Sequence, residues 1–243
     1  MRPVLSRRAF LAAAALSARS LEAAGKTLCG VPLEILKHGR SRRRYLRIHG
    51  DETTAAEALR EHLKTARGTG FLVTNPKRNI LIAGGLLDPN RMFSRQGAER
   101  SYRRLNPKWT EAELTPALAW LDRERPKLIH ALLPPKGGLL FAVHNNARGY
   151  SMEEEIPISQ QTSLARRNAP HEFFLTTDPG DYALLAKGPY NVLLQNEPKG
   201  DDDGSLSRLC GRLGVRYVNL EVALGKLAEQ KEMMAWLERT LPE

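Results

Sequence analysis

Only two cysteines, Cys29 and Cys210, occur among 243 residues, and they form no Cys-x-x-Cys pair. A thiolate zinc ribbon is thereby excluded. An oxidising compartment would permit one bridge between them, but two cysteines do not decide the matter. The only long apolar run, Ala9 to Leu16, falls far short of the ~20 residues that cross a bilayer as a helix. No internal repeat and no linker-like stretch divides the chain. Glycine and proline are not in excess, and charged residues make up 26%. That composition speaks against collagen, coiled coil and wholesale disorder. A basic repeat with interleaved aromatics is also missing. The arginines are scattered apart from Arg40–Arg44 and Arg103-Arg104, so the net charge of +10 reads as a solvated surface rather than a nucleic-acid footprint.

What is present is a chain long enough for one sizeable core. A domain of ~220 residues buries roughly 70% of its extended surface without a metal or disulfide staple. The N-terminus carries Ser6-Arg7-Arg8-Ala9-Phe10-Leu11 before a short Ala/Leu run. That layout is a bacterial twin-arginine export signal, and it predicts a periplasmic or secreted protein. Residues 1–24 are read as the signal and 25–243 as one folded domain, with cleavage after Ala18 or near Ala24. Removal of residues 1–24 takes away four arginines and Glu22 and leaves +7. Lys26-Thr27-Leu28 before Cys29 is no lipobox, which speaks against a lipid anchor.

Strands are predicted at 31–36, 44–49, 71–74, 79–83, 138–144, 172–176, 191–195 and 215–221. Helices are predicted at 53–66, 109–130 with a break at Pro126, 181–187, 205–213 and 226–240. Residues 91–107 read as polar and irregular, and 145–170 as loop. Alternation of the two element types implies a single α/β domain: a mixed, mostly parallel open sheet with helices on both faces.

Chemistry in such sheets gathers beyond the carboxyl ends of strands. Four of these ends carry notable residues. His49-Gly50-Asp51-Glu52 lies between a strand and a helix. An imidazole and a carboxylate three residues apart can reach one metal ion there. The competing reading is an ordinary helix start with Glu52 in the first turn. Asp88-Pro89-Asn90-Arg91-Met92-Phe93 offers an amide and a guanidinium fork suited to a carboxylate, or else a surface turn. His144 ends an apolar strand. Glu221 ends another, where an unpartnered carboxylate is costly to bury. Two histidines and a glutamate would leave a fourth zinc position open, as a catalytic site needs, and Glu221 is placed to act as base.

These four motifs, in this order, resemble the zinc carboxypeptidase family. It includes carboxypeptidase A-like enzymes, murein peptide amidases and the succinylglutamate desuccinylase–aspartoacylase branch. The short spacings are closer to the two compact branches. The resemblance implies that fold, and one Zn²⁺ held by His49, Glu52 and His144. It implies that Asn90 and Arg91 hold a substrate carboxylate, and that Glu221 takes a proton from the attacking water and passes it to the leaving amine. A cation that polarises the scissile carbonyl is expected upstream of Asn90. Arg78 is the nearest candidate, with Lys77 beside it. The family's substrate-facing tyrosine has no clear counterpart, and Tyr150, six residues after His144, reads as a loop residue. The implied substrate is a peptide or an N-acyl amino acid with a free carboxylate, with peptidoglycan stem peptides in view from the export signal. The implied enzyme is a metallocarboxypeptidase or peptide amidase. A deacylase of N-acyl amino acids, or an inactive binding protein of the same fold, is the alternative. Oligomeric state is not legible.

Overall fold

The computed structural model describes residues 22–146 and 149–243. The twin-arginine segment lies outside the described residues. Ala24, one of the two cleavage positions considered, lies inside the first strand.

The chain opens with an antiparallel hairpin, β1 (Glu22–Leu28) and β2 (Val31–His38). It turns at Cys29 and Gly30, whose φ angles are 50° and 73°. β3 (Arg44–Arg47) leads into α1 (Thr53–His62), then β4 (Gly68–Val73). β5 (Ile80–Ile82) and β6 (Gly85–Leu87) pair only with each other. Two helices follow, α2 (Arg95–Leu105) and α3 (Glu111–Leu132), and then β7 (Leu139–Asn146). The remainder is α4 (Met152–Glu155), β8 (Gln161–Leu164), β9 (Phe173–Thr176), α5 (Pro179–Leu185), β10 (Asn191–Leu194), α6 (Leu206–Leu213), β11 (Arg216–Ala223) and α7 (Leu227–Thr240).

Nine strands form one mixed sheet in the order β1-β2-β4-β3-β7-β11-β9-β10-β8. β4, β3, β7 and β11 are mutually parallel, flanked by antiparallel β2 and β9. All eight residues of β7 are buried, as a central strand covered on both faces requires. One apolar cluster packs α2, α3 and α6 on one face through residues such as Tyr102, Leu118, Leu121 and Leu209. The other packs α1, α5 and α7 through Leu59, Leu185, Met233 and Leu237. β11 shows the alternation: Tyr217 joins the first cluster, while Val218, Leu220 and Val222 join the second. The α/β class, the mixed sheet and the helices on both faces are those expected from the sequence.

Several local expectations change. Residues 91–107 are not irregular but contain α2. Its buried side is Gly97, Ala98, Ser101 and Tyr102, so small and polar residues hide the helical period. Ser94 caps it by accepting from the Gly97 amide. α3 does not break at Pro126 but runs through both Pro116 and Pro126. The strand expected at 79–83 is a short hairpin outside the main sheet. β8, a polar strand, was hidden in the expected loop. Cys29 and Cys210 are both buried and both free thiols. No described helix is long and apolar enough to cross a membrane.

At the sheet end away from the predicted ligands, a half-buried polar cluster ties α7 to β3. Glu238 accepts from Tyr45 OH at 2.7 Å, and His62 Nε2 lies 3.2 Å from the same oxygen. Arg43 Nε lies 3.4 Å from its other oxygen, and Arg43 also donates to the Leu241 carbonyl at 2.6 Å. Burial works against the Glu238 charge, but His62, Tyr45 and Arg43 outweigh it and hold the carboxyl below its usual 4.5. A depressed carboxyl stabilises the fold fully above that unfolded value, and the contribution fades as pH falls through the folded one. Glu238→Gln is therefore expected to cost on the order of 2–3 kcal/mol at pH 7. The deficit should shrink below pH 4.5, as read by urea unfolding at both pH values.

Candidate metal centre

β3 delivers His49 to the site through a turn that only glycine permits. A Cβ on Gly50 would lie 1.4 Å from the carbonyl oxygen of Asn75. The constraint is this close approach of two backbones and not a left-handed φ, since Gly50 is not among the positive-φ glycines. Arg47 ties the same segment down. Its guanidinium donates to the carbonyls of His49 at 2.8 Å and Val73 at 2.6 Å, joining the ends of β3 and β4.

Glu52 occupies the N-cap of α1 but makes no side-chain cap. The cap comes from β7 instead: Asn145 Oδ1 accepts from the Ala55 amide at 2.7 Å. Asn145 in turn donates to Gln230 Oε1 at 2.5 Å, and Gln230 donates to the His144 carbonyl at 3.0 Å. This amide chain links α1, β7 and α7, and it leaves the Glu52 carboxylate to the imidazoles. The ordinary-helix-start reading of Glu52 therefore does not hold.

His49, Glu52 and His144 are all buried, and one donor atom from each lies within 4.8 Å of the others. His49 Nδ1 is 2.8 Å from Glu52 Oε1, and His144 Nδ1 is 3.3 Å from it. The two rings are 5.5 Å apart at 62°. Glu52 Oε2 is buried without a hydrogen-bond partner, although His144 Nδ1 lies 3.3 Å away. Two imidazole nitrogens and an unsatisfied buried carboxylate oxygen are a donor set that zinc accepts. Asp88 supplies what the sequence reading missed. It is buried and lies 2.9 Å from His49 Nε2, which fixes the ring so that Nδ1 faces Glu52. Its position inside the 88–93 motif was visible, but its partner 39 residues away was not.

Charge is concentrated here. Burial works against the His49 cation, but Glu52 and Asp88 outweigh it and raise the imidazole to about 9. Burial likewise opposes the Glu52 charge, but His144 and His49 hold the carboxyl well below its usual range. Asp88 is also held low, by His49 and then Arg78 and Arg91, against its own burial. Glu221 is the exception. Burial pushes it up to about 7, with His144 opposing and Glu52 reinforcing. It pairs in register with His144 across β7 and β11, and it accepts from Asn219 Nδ2 at 3.1 Å.

All seven predicted residues line one cavity of about 290 Å³. Arg78 lies 3.4 Å from Glu52 and 3.8 Å from Asp88, whereas Lys77 does not line the cavity. Asn90 is partly committed elsewhere: its Oδ1 accepts from the Leu206 amide at the start of α6. Arg91 is paired with Asp203 at 2.9 Å, a neighbour that sequence reasoning did not single out. Tyr150 also lines the cavity and donates to Glu155 at 2.8 Å.

No protein-family model matches the sequence, and no curated protein matches it. Solved structures do. The chain is similar to a succinylglutamate desuccinylase/aspartoacylase from Rhodobacter sphaeroides, at 14% identity and a TM-score of 0.46, covering 91% of this chain and 65% of that one. It thus spans just under two thirds of that protein's length. It is similar to the murein-tripeptide amidase MpaA from Escherichia coli O157, at 16% identity and 0.47, covering 92% and 93%. An aspartoacylase family protein from Mesorhizobium loti matches at 14% and 0.40, covering 93% and 69%.

Gly50→Ala must force the β3–α1 turn away from Asn75. A loss of about 3 kcal/mol or more is expected by denaturant unfolding.

Proposed function

We propose that the chain is a zinc-dependent hydrolase of the zinc carboxypeptidase-like family, cleaving an amide bond next to a carboxylate-bearing group. The observation that carries this reading is the meeting of His49, Glu52 and His144, drawn from two distant segments, beside Glu221 in one cavity. The bound zinc would polarise the scissile carbonyl and acidify the attacking water. Every other task falls to the chain. Glu221, buried and aimed by Asn219, accepts a proton from the water and returns it to the leaving amine. Arg78, at the edge of the ligand group, supports the charge that develops on the carbonyl oxygen. Arg91 and the amide nitrogen of Asn90, which has no partner among the described residues, hold the carboxylate, with Arg91 exchanging its contact with Asp203 for the substrate.

The substrate is a peptide or an N-acyl amino acid, and peptidoglycan stem peptides fit an exported enzyme. A peptide amidase and a deacylase of N-acyl amino acids use the same residues, so a substrate panel separates them. Export rests on Ser6-Arg7-Arg8-Ala9-Phe10-Leu11. Replacing Arg7 and Arg8 by lysine should retain the chain in the cytoplasm on fractionation, and unchanged export would contradict the twin-arginine reading.

Purified protein is expected to hold about one zinc per chain by plasma mass spectrometry, to lose amidase activity on dipicolinate treatment and to recover it with Zn²⁺. Glu221→Gln should keep the zinc and lose roughly 10²–10⁴ in turnover. Activity indifferent to both treatments would defeat the assignment. A binding protein of the same fold would show zinc and ligand affinity with no turnover to lose.

A further inference from the structure

The end of the sheet opposite the cavity holds charge that the hydrolytic chemistry does not use. Three turns meet there: residues 39–43 between β2 and β3, 63–67 between α1 and β4, and 133–138 between α3 and β7. His38 Nδ1 lies 2.9 Å from the Ala66 carbonyl, and the Arg43 carbonyl accepts from the Thr69 amide at 3.2 Å, which ties the first turn to the second. Arg42 donates to the Lys136 carbonyl at 3.4 Å, which ties the first to the third. β4, β3 and β7 are parallel, and the cavity lies beyond their carboxyl ends, so all three turns face the other way.

Residues 37–44, 63–67 and 133–138 contain eight lysines and arginines and no aspartate or glutamate, so their charge has no local counterweight. Arg43 is spent on Glu238 and the Leu241 carbonyl, and Arg44 lies over the Phe71 ring. The other six are Lys37, Arg40, Arg42, Lys64, Arg67 and Lys136, and all are exposed. Among the described residues none of them has a carboxylate side chain as partner. Arg42 reaches only main-chain oxygens, those of Lys136 and Glu243. The nearby acids are engaged elsewhere: Glu238 with Tyr45, His62 and Arg43, Glu61 with Lys231, and Asp181 with Arg216. On other parts of the surface arginines do find carboxylates, as in Arg60–Glu34, Arg95–Asp122, Arg103–Glu99 and Arg212–Asp202. Like charges gathered without acids repel, and an anionic partner relieves that repulsion.

We infer that this end of the sheet docks on an anionic lipid surface and holds the cavity at the far end from the bilayer. The cations come from turns on four adjacent strands, β2, β4, β3 and β7, so they spread across the width of the sheet rather than along one element. Long side chains without fixed partners suit mobile headgroups, which impose no fixed spacing. Each lysine or arginine near such a surface contributes roughly fivefold in affinity, within the reach of a Debye length. The three turns contain no Phe, Trp or Tyr. They therefore offer nothing to stack on unpaired bases and no apolar wedge to insert among acyl chains, which leaves charge as the source of binding. The inference goes beyond the hydrolase reading and stands or falls without it.

The test is co-sedimentation of the full chain with vesicles of mixed phosphatidylglycerol and phosphatidylcholine, and with phosphatidylcholine alone. The mixed vesicles are expected to bind at least about 10-fold more tightly at ~0.1 M salt, and to lose at least about 10-fold at ~0.5 M. Replacing Arg40, Lys64 and Lys136 together by glutamine should weaken binding about 10²-fold. The same change at Arg104, Lys108 and Lys187, exposed outside these turns, should stay within about 3-fold, with circular dichroism melts establishing that both variants fold. Equal losses in the two variants, or equal binding to neutral vesicles, overturn the docking face. Amide hydrogen exchange then locates the contact whatever the affinity. Protection of residues 39–43, 63–67 and 133–138 on adding the mixed vesicles supports the inference, and protection confined to other segments overturns it. Tighter binding to duplex DNA or heparin than to the mixed vesicles at the same salt overturns the lipid assignment.

Discussion

The structure depends on where the Glu52 carboxylate goes. Burying a carboxylate costs several kcal/mol unless charge and hydrogen bonds compensate. Here the compensation comes from two imidazoles on different strands, with the edge of Arg78 beside them. Each of those groups must itself be fixed, and the fixing residues reach across the fold. Asp88 orients His49, Arg47 and Gly50 set the turn that carries it, and the Asn145–Gln230 chain holds His144 against the start of α1. The central parallel strands supply the rigidity, because β7 is buried along its whole length.

The cavity is therefore divided by charge. Its ligand end gathers anionic Glu52 and Asp88 around the histidines, a pattern that favours a divalent cation. The rim carries Arg78 and Arg91, suited to oxyanions. Glu221 stands between the two regions with an elevated proton affinity, which burial more than any partner produces. A group that holds a proton this way is suited to accept and return one near neutral pH.

Much of this was legible in the residues. His49 and Glu52 lie three positions apart at a strand-to-helix junction, and His144 and Glu221 end two strongly apolar runs, so short-range pattern placed all four at one sheet edge. The fold class followed from alternation alone. What escaped has physical reasons. α2 buries small and polar residues, so no apolar period marks it. Pro126 reads as a breaker, yet α3 continues through it. β1 and β8 are mostly exposed or polar strands that gain their identity from their partners. Asp88, Asn145, Gln230 and Glu155 act through contacts 39 to 90 residues away or across loops, and no local spacing announces such pairs. The demand for glycine at position 50 comes from the carbonyl of Asn75, which no local spacing announces.

The direct measurement is X-ray absorption spectroscopy of the protein reconstituted with one equivalent of Zn²⁺. The account predicts a first coordination sphere of nitrogen and oxygen alone at ~2.0–2.2 Å, with two imidazoles resolved by their outer-shell scattering and one of them lost in His144→Ala. Sulfur scattering near ~2.3 Å, or a spectrum unchanged by that substitution, would place the metal elsewhere and contradict the site.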